Sequence, residues 1–365
     1  MSIYLDGMFY RCSGVGRVYE NLLAAFAGNP DVGEIHTIVP ALHKERFLEQ
    51  FSHPMIVPTF VGYDPMGVGD LVLKSTVLRS LRKKVGLYYF PGHNVPLRVP
   101  GRYIVSVNDV TVLSPHFRLP WYRKAGFRWL LSRAVHGAEA VVTISETVKG
   151  DLVREFGLPL EKIRVIYPWI KEIFFEPPLV AGSPVPGEYL LYLGLRISHK
   201  NVEGVIRAFL LLLDDFPILK LVIAGSRYST PDMVDRWKGD PRLMGRLIEI
   251  PDPSDDDIAR LFSAAKAFVF PSFAEGFGLP PLEAMAADVP VVCSDIPVFR
   301  EVYGDAVQYV DPNRAESIAA ALRTLLINPS LSSDLRAAGK KQASKYRGNQ
   351  LMARYIDLLS IHLEE

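Results

Sequence analysis

The stretch VFPSFAEGFGLPPLEAMAADVP, residues 269–290, decides the fold class. An apolar run from Ala267 to Phe270 leads into it. A Gly-Phe-Gly-Leu turn follows at 276–279, and Pro280 and Pro281 then open the helical pattern LEAMAA. Strand, glycine turn and helix start, in that order, deliver backbone N–H groups to an anion or to sugar hydroxyls. Glycine lets the main chain approach a ligand closely. Proline suits the first helical position, where a missing N–H costs nothing. Two carboxylates eight residues apart, Glu275 before the turn and Glu283 inside the helix, can hold two parts of one elongated ligand.

The same alternation runs outward in both directions. Apolar runs at Ile3–Leu5, Ile35–Val39, Leu87–Phe90, Tyr103–Val107, Ala140–Ile144 and Ile163–Ile166 read as one series of strands. A second series reads at Tyr189–Leu193, Lys220–Ala224, Leu247–Ile250, Ala267–Phe270, Val289–Cys293 and Ala306–Val310. Helical patterns lie between, among them 17–27, 122–136, 202–216, 255–265 and 314–327. Strand–helix alternation predicts α/β architecture with parallel, doubly wound sheets. EPPLVAGSPVPGE, 176–188, is rich in Pro and Gly and has no periodicity, so it reads as a linker. Two Rossmann-like domains facing a cleft are expected, at 1–175 and 189–344, with ligands beyond the carboxyl ends of the strands.

A chain of 365 residues has room for two such cores. Hydrophobic content of 49% and charged content of 22% are ordinary globular usage, and a net charge of +1 gives no argument for nucleic acid. The charge is uneven: residues 1–180 carry 21 basic and 16 acidic side chains. With two cysteines, Cys12 and Cys293, a disulfide framework is not expected and a reducing, cytoplasmic compartment is. No signal peptide is evident, and the longest apolar runs are too short to span a bilayer.

The EGFGLPPLEAMA segment resembles the retaining glycosyltransferases of family 4, which carry an E-x7-E motif inside "PS..EGFGLP.LEAMA.G.PV". The resemblance covers nearly the whole chain and implies the GT-B fold, with a final helix, 345–365, crossing back onto the first domain. It implies that Glu283 accepts hydrogen bonds from the donor ribose, and that Glu275 contacts the transferred sugar. The backbone of Gly276, Phe277, Gly278 and Leu279 would bind sugar hydroxyls or phosphate. YLGLRISHKN, 192–201, matches a G-R-x4-K-N pattern whose cations face the donor diphosphate, which assigns Lys200 and, one place late, Arg196. The family arginine aligns with Leu195; His199 is a further candidate there.

In the first half, CSGVGRVYENL, 12–22, sets Gly14 and Gly16 before a helix. The resemblance places these glycines near the donor phosphates and Arg17 on the acceptor side. The strand 103–107 ends at Asn108-Asp109, where the family has His-Asp. Asn can hydrogen-bond a sugar but cannot act as a proton-transfer base; the family mechanism passes the acceptor proton to the leaving phosphate instead. Asp109 reads as structural or acceptor-side, and His93 in FPGHNVPL as an acceptor-side residue or a solvated loop histidine. Ser145 and Glu146 read as a helix cap. Asp255-Asp256-Asp257 follows Ser254 at a helix start and complements the dipole rather than forming an Asp-x-Asp metal element, so no metal or other cofactor is expected.

Finally, 119–138 mixes Trp121, Tyr122, Phe127 and Trp129 with Arg123, Lys124, Arg128 and Arg133, and Arg79, Arg82, Lys83 and Lys84 form a second basic group. This is either a face for peripheral contact with the inner surface of the cytoplasmic membrane or a domain helix with one core stripe and a solvated basic side. SGVGR, HNVPL, VNDVTVLSP and SHKN look most like bacterial mannosyltransferases of O-antigen or polysaccharide assembly. The resemblance thus implies transfer of a hexosyl group, mannose from GDP-mannose first among the choices, to a glycan or lipid-linked acceptor in α-linkage. The alternatives are a UDP-sugar or other GDP-sugar donor, a nucleotide-sugar epimerase, and an inactive partner subunit that binds glycans.

Overall fold

The computed structural model describes residues 2–65, 67–117, 119–176, 184–227 and 232–363, the side chains of 13, 349, 350 and 363 apart. It divides into two compact units, 1–112 with 119–168 and 349–365, and 113–118 with 169–348. The division thus falls at 168/169, upstream of the segment read as the linker. Residues 177–183 of that segment lie outside the described residues.

Among the described residues the first unit holds seven strands: β1 (Ile3–Leu5), β2 (Ile35–Pro40), β3 (Ile56–Val61), β4 (Leu87–Phe90), β5 (Tyr103–Val107), β6 (Ala140–Thr143) and β7 (Ile163–Val165). They pair in the order β3-β2-β1-β4-β5-β6-β7, every pair parallel. Its helices are α1 (Ser13–Ala27), α2 (Lys44–Gln50), α3 (Lys74–Leu81), α4 (Trp121–Gly137) and α5 (Glu146–Phe156). The second unit holds β8 (Tyr189–Leu193), β9 (Lys220–Ala224), β10 (Leu247–Ile250), β11 (Ala267–Phe270), β12 (Val291–Ser294) and β13 (Gln308–Val310). These pair in the order β10-β9-β8-β11-β12-β13, again all parallel. Its helices are α6 (Val202–Leu210), α7 (Asp255–Ala264), α8 (Leu279–Ala286), α9 (Pro297–Tyr303), α10 (Ala315–Ile327) and α11 (Pro329–Ala343). The last helix, α12 (Gly348–Leu363), belongs almost wholly to the first unit, where the Arg102 guanidinium donates to the His362 carbonyl at 2.8 Å.

Parallel strands are covered on both faces, which is why LYYF, YIVSV, AVVT and YLLYL are buried at every residue. In the second unit Val205, Phe209, Ile318 and Leu322 from α6 and α10 pack with Leu221 and Ile223 of β9 in one core. The expected cap at Ser145 and the expected helix start after Ser254 are both present. The Ser145 hydroxyl accepts from Val148 N at 3.1 Å, and Ser254 with Asp257 closes a capping box at the start of α7.

Three local differences have physical causes. Strand β3 escapes the sequence pattern because it lies at a sheet edge, is only partly buried and contains Pro58, which an edge tolerates. The helix expected over 202–216 stops at Leu210 and tightens, with Leu211 N bonding Ala208 O; Pro217 disfavours helical backbone at Phe216. Helix α1 begins at Ser13, so Gly14 and Gly16 lie within its first turn rather than before it.

In both sheets the first strand sits inside and the chain departs to either side of it. That order creates a switch point between β1 and β4, and another between β8 and β11. The loops after β8 and β11 therefore emerge side by side.

Candidate active site

After β8 the chain passes through Gly194, a 3-10 turn at Ser198–Lys200 and Asn201. Asn201 takes left-handed backbone, φ 56°, and caps α6 by accepting from Gly204 N at 3.2 Å. Its amide also donates to the Pro271 carbonyl at 3.0 Å and the Pro312 carbonyl at 2.8 Å. Phe273 N donates to the His199 carbonyl at 2.8 Å. These bonds clamp the loop after β8 to the loop after β11.

The clamp brings Lys200 to Glu275. The ammonium lies 2.6 Å from Oε1 and 2.7 Å from Oε2, and 5.5 Å from the Phe270 ring centroid. The two side chains are only 19% and 10% exposed. The pair is thus mostly desolvated yet reachable, as a site that exchanges one anion for another requires. Three residues on, Gly278 holds φ 94° and opens α8. The buried Tyr303 hydroxyl donates to its carbonyl at 2.7 Å. Pro280 and Pro281 supply no N–H, so the donors of this turn are those of Gly276, Phe277, Gly278 and Leu279. Glu283 is buried one turn into α8.

Arg196 is not brought to this group, contrary to the sequence expectation. Its guanidinium is fully buried, with Nη1 3.1 Å from Asp232 and in contact with Glu249 of β10. Arg227 and Lys238 join the same cluster, 2.8 Å from Glu249 in each case. One place after the family arginine, the side chain faces β10 instead of Lys200, and acids already neutralise it.

Residues 113–117 belong to this unit, and two of their rings pack on its loops. His116 stacks on Phe273 at 5.0 Å and Phe117 on His199 at 5.1 Å. His199 is thereby placed against an aromatic ring. An open pocket of about 400 Å³ lies beside the stack, lined by His116, Phe273, Asp295, Tyr309, Asp311 and Asn313 among others. Lys200, Glu275 and Glu283 are not part of its lining.

In the first unit Gly16 meets the loop after β1. A Cβ there would stand 2.3 Å from the Phe9 carbonyl, whereas one at Gly14 would meet nothing within 4 Å. Gly16 is therefore fixed by packing, and Gly14 is the glycine that leaves open space at the helix start. Arg17 is half-buried in the same turn. After β4, His93 stands edge-on to Phe127 at 4.9 Å, and its buried Nε2 has no hydrogen-bond partner among the described residues. Burial lowers its pKa, with the Asp109 charge opposing. After β5, the Asn108 amide donates to the Pro91 carbonyl at 3.4 Å, and its buried Oδ1 also lacks a partner among the described residues. Asp109 accepts from Thr111 N at 2.9 Å and from the Thr111 hydroxyl at 2.5 Å, which assigns it to a turn.

One cluster of this sheet end went unread in the sequence. Lys74, fully buried, lies 3.1 Å from Asp6 and against Asp70, and donates to the Asn94 carbonyl at 3.2 Å. The Asn94 amide bonds Asp6 at 3.1 Å and Asp70 at 2.9 Å, and the Tyr4 hydroxyl donates to Asp6 at 2.5 Å. Asp70 sits on a π-helical turn, Gly69–Leu73, a form often found at functional sites. The cluster ties the ends of β1 and β4 to α3 and so sets the course of the loop that carries His93. Among the described residues no group of three or more His, Cys, Asp or Glu is placed to hold a metal ion.

Residues 180–342 match the family described as "Glycosyl transferases group 1", and residues 13–172 match "Glycosyltransferase Family 4". The chain is 30% identical over 233 residues to the O-antigen chain mannosyltransferase RfbU of Salmonella typhimurium, across 64% of this chain and 63% of that protein. It is 28% identical over 273 residues to O-antigen chain mannosyltransferase B of Escherichia coli, across 71% and 70%. It is 29% identical to a GDP-mannose:cellobiosyl-diphosphopolyprenol alpha-mannosyltransferase of Xanthomonas oryzae pv. oryzae, across 60% and 57%. Among solved structures, the sucrose-phosphate synthase of Thermosynechococcus elongatus superimposes with a TM-score of 0.77 at 16% identity, across 100% of this chain and 99% of that one.

Proposed function

Because the chain belongs to the family 4, group 1 glycosyltransferases of the GT-B class, we propose that it transfers a mannosyl group from GDP-mannose to a glycan or lipid-linked oligosaccharide, retaining the α-configuration. The observation that carries this reading is the Lys200–Glu275 pair beside the glycine turn, where the loops after β8 and β11 meet. The names of the Salmonella, Escherichia and Xanthomonas relatives support mannose, and the last supports GDP-mannose and a polyprenyl-linked acceptor.

Charge grows on the diphosphate as the bond from the anomeric carbon to the phosphate oxygen breaks. In this reading Lys200 moves from Glu275 to that charge, and the N–H groups of the 276–279 turn join it. Glu275, released from its partner, accepts from hydroxyls of the transferred sugar and stabilises its cationic character. Glu283 accepts from the ribose hydroxyls. The acceptor oxygen bonds the anomeric carbon on the face the phosphate leaves, and its proton passes to the phosphate. Asn108 donates to a sugar hydroxyl and takes no proton. His93, Arg17 and the open side of Gly14 serve acceptor and phosphate binding. Lys200 supplies positive charge that a metal ion supplies in other transferases, so the scheme needs no resident metal.

A panel of GDP- and UDP-sugars tested by thermal shift, followed by product analysis, examines the proposal. GDP-mannose should stabilise the protein and yield an α-mannosyl product in the presence of EDTA. Glu275→Gln should keep the fold and GDP binding while transfer falls by about 10²–10³. Lys200→Met should weaken GDP binding. Stabilisation by UDP-sugars alone would overturn the donor assignment, and near-normal transfer by Glu275→Gln would overturn the site.

A further inference from the structure

Helix α4 turns an aromatic face to solvent. Its core contacts come from Leu131, Ala134 and Val135, near its C-terminal end. At about 100° per residue, Trp121, Tyr122, Ala125 and Trp129 share an arc of about 100° with Ser132 and His136, facing away from Leu131 and Ala134. Trp121 is 80% exposed, Trp129 60% and Tyr122 57%. The arc is aromatic and apolar over its first three turns and polar only near the C-terminal end of the helix.

The face continues beyond α4. The Arg133 guanidinium donates to the Val95 carbonyl at 2.6 Å, Leu97 N donates to the Leu71 carbonyl at 2.9 Å, and Arg98 N to the Ser75 hydroxyl at 3.3 Å. These bonds lace exposed Leu97, Val72 and Leu73 to the same region. Neither 71–84, nor 95–103, nor 119–137 contains an Asp or Glu, while Arg79, Arg98 and Arg123 are exposed there. Large exposed apolar surface marks an interaction site. Tryptophan and tyrosine favour the headgroup level of a bilayer, and acid-free cationic surface favours anionic lipid. A second copy of the chain would meet the same cations across an isologous contact and be repelled.

We propose that the outward face of α4, with the adjoining 71–73 and 97–98 segments, docks on the surface of an anionic phospholipid bilayer. The docking is independent of which sugar is transferred. Its cations confer lipid selectivity, each worth a factor of about five at an anionic surface, and its aromatic rings insert at headgroup depth.

Cosedimentation with phosphatidylglycerol–phosphatidylethanolamine vesicles and with pure phosphatidylcholine vesicles tests this on the intact chain. Quenching by brominated lipid reads the depth of the tryptophans. The wild-type chain should partition at least about tenfold better onto the anionic vesicles, with loss of binding at high salt and quenching of tryptophan emission. Trp121→Ser with Trp129→Ser should remove the quenching, since Trp169 and Trp237 lie elsewhere in the chain. Arg79→Glu with Arg123→Glu should erase the anionic preference while circular dichroism stays unchanged. Equal partition onto both vesicles, or no partition by the wild type, overturns the proposal whether or not the variants fold. So does a dimer in solution that the tryptophan variant dissociates.

Discussion

Replacing Gly278 by alanine would set a methyl carbon 2.1 Å from the Tyr303 hydroxyl oxygen and 2.8 Å from a Phe299 ring carbon, where ordinary contact begins at 3.4 Å. The hydroxyl cannot withdraw freely, because it is buried and bonded to the Gly278 carbonyl itself. The backbone φ of 94° adds strain for any L side chain. Strain contributes about 1–2 kcal/mol and overpacking about 1–3 kcal/mol, so Gly278→Ala should cost about 2–5 kcal/mol. For a unit of this size that lowers Tm by about 4–20 °C. Tyr303→Phe alone removes one hydrogen bond, worth about 1 kcal/mol. In the double variant the oxygen that clashes is gone, so the two costs should add to less than their sum. Thermal unfolding of the four proteins completes the cycle, and titration with GDP reads the turn directly, since its N–H groups shift with Gly278. A Gly278→Ala protein within 2 °C of wild type (about 1 kcal/mol or less), or a double variant with strictly additive losses, would refute the reasoning.

Two further outcomes follow from the polar clusters. Lys74→Met leaves Asp6 and Asp70 buried together without their cation and should cost about 3–5 kcal/mol. Burial already holds the Asp6 carboxyl above the ordinary range, with Lys74 opposing, and removing Lys74 raises it further. An acid whose folded pKa exceeds its unfolded value binds more protons when folded, so the penalty is complete above the folded value and shrinks as pH falls through it. The Tm deficit of Lys74→Met should therefore narrow on acidification; a deficit that widens as pH falls would contradict the assignment. Asn201→Ala removes one cap and two bonds to the 271 and 312 carbonyls, about 2–3 kcal/mol in all. It should also weaken GDP binding by loosening the loop that holds Lys200 in place, and unchanged affinity would show that the clamp does not position the lysine.

Much of the architecture was readable because buried parallel strands are unbroken apolar runs. Tyr189–Leu193 and Ala267–Phe270 occupy the residues the pattern predicts, and the loops that follow them carry Lys200 and Glu275. Side-chain direction was less readable. Arg196 and Lys200 look alike as cations after one strand, yet a one-residue offset turns the first into the ionic cluster of β10. Lys74 in DLVLKSTVLRS reads as an ordinary surface lysine of an amphipathic helix; only the fold shows that Asp6 and Asn94, 68 and 20 residues away, enclose it. Asn201 stood within the quoted SHKN motif, but its reach to Pro312 depends on a strand order that no local pattern encodes. Membership of α1 by Gly14 and Gly16 was hidden because glycine is a poor helix former, and packing against Phe9 overrides that preference.

The inner position of β8 also bears on how the protein acquires its site. Lys200 and Glu275 are 75 residues apart in the chain, and they meet only when β11 pairs with β8 after the intervening α6, β9, β10 and α7. Such non-local pairing closes a long loop before it gains contacts, which slows folding. During synthesis, a chain still short of residue 275 holds the lysine and none of its partner. Under the proposed donor role, competence to bind the nucleotide therefore waits on the β8–β11 pairing, and GDP binding would serve as a kinetic reporter of that step.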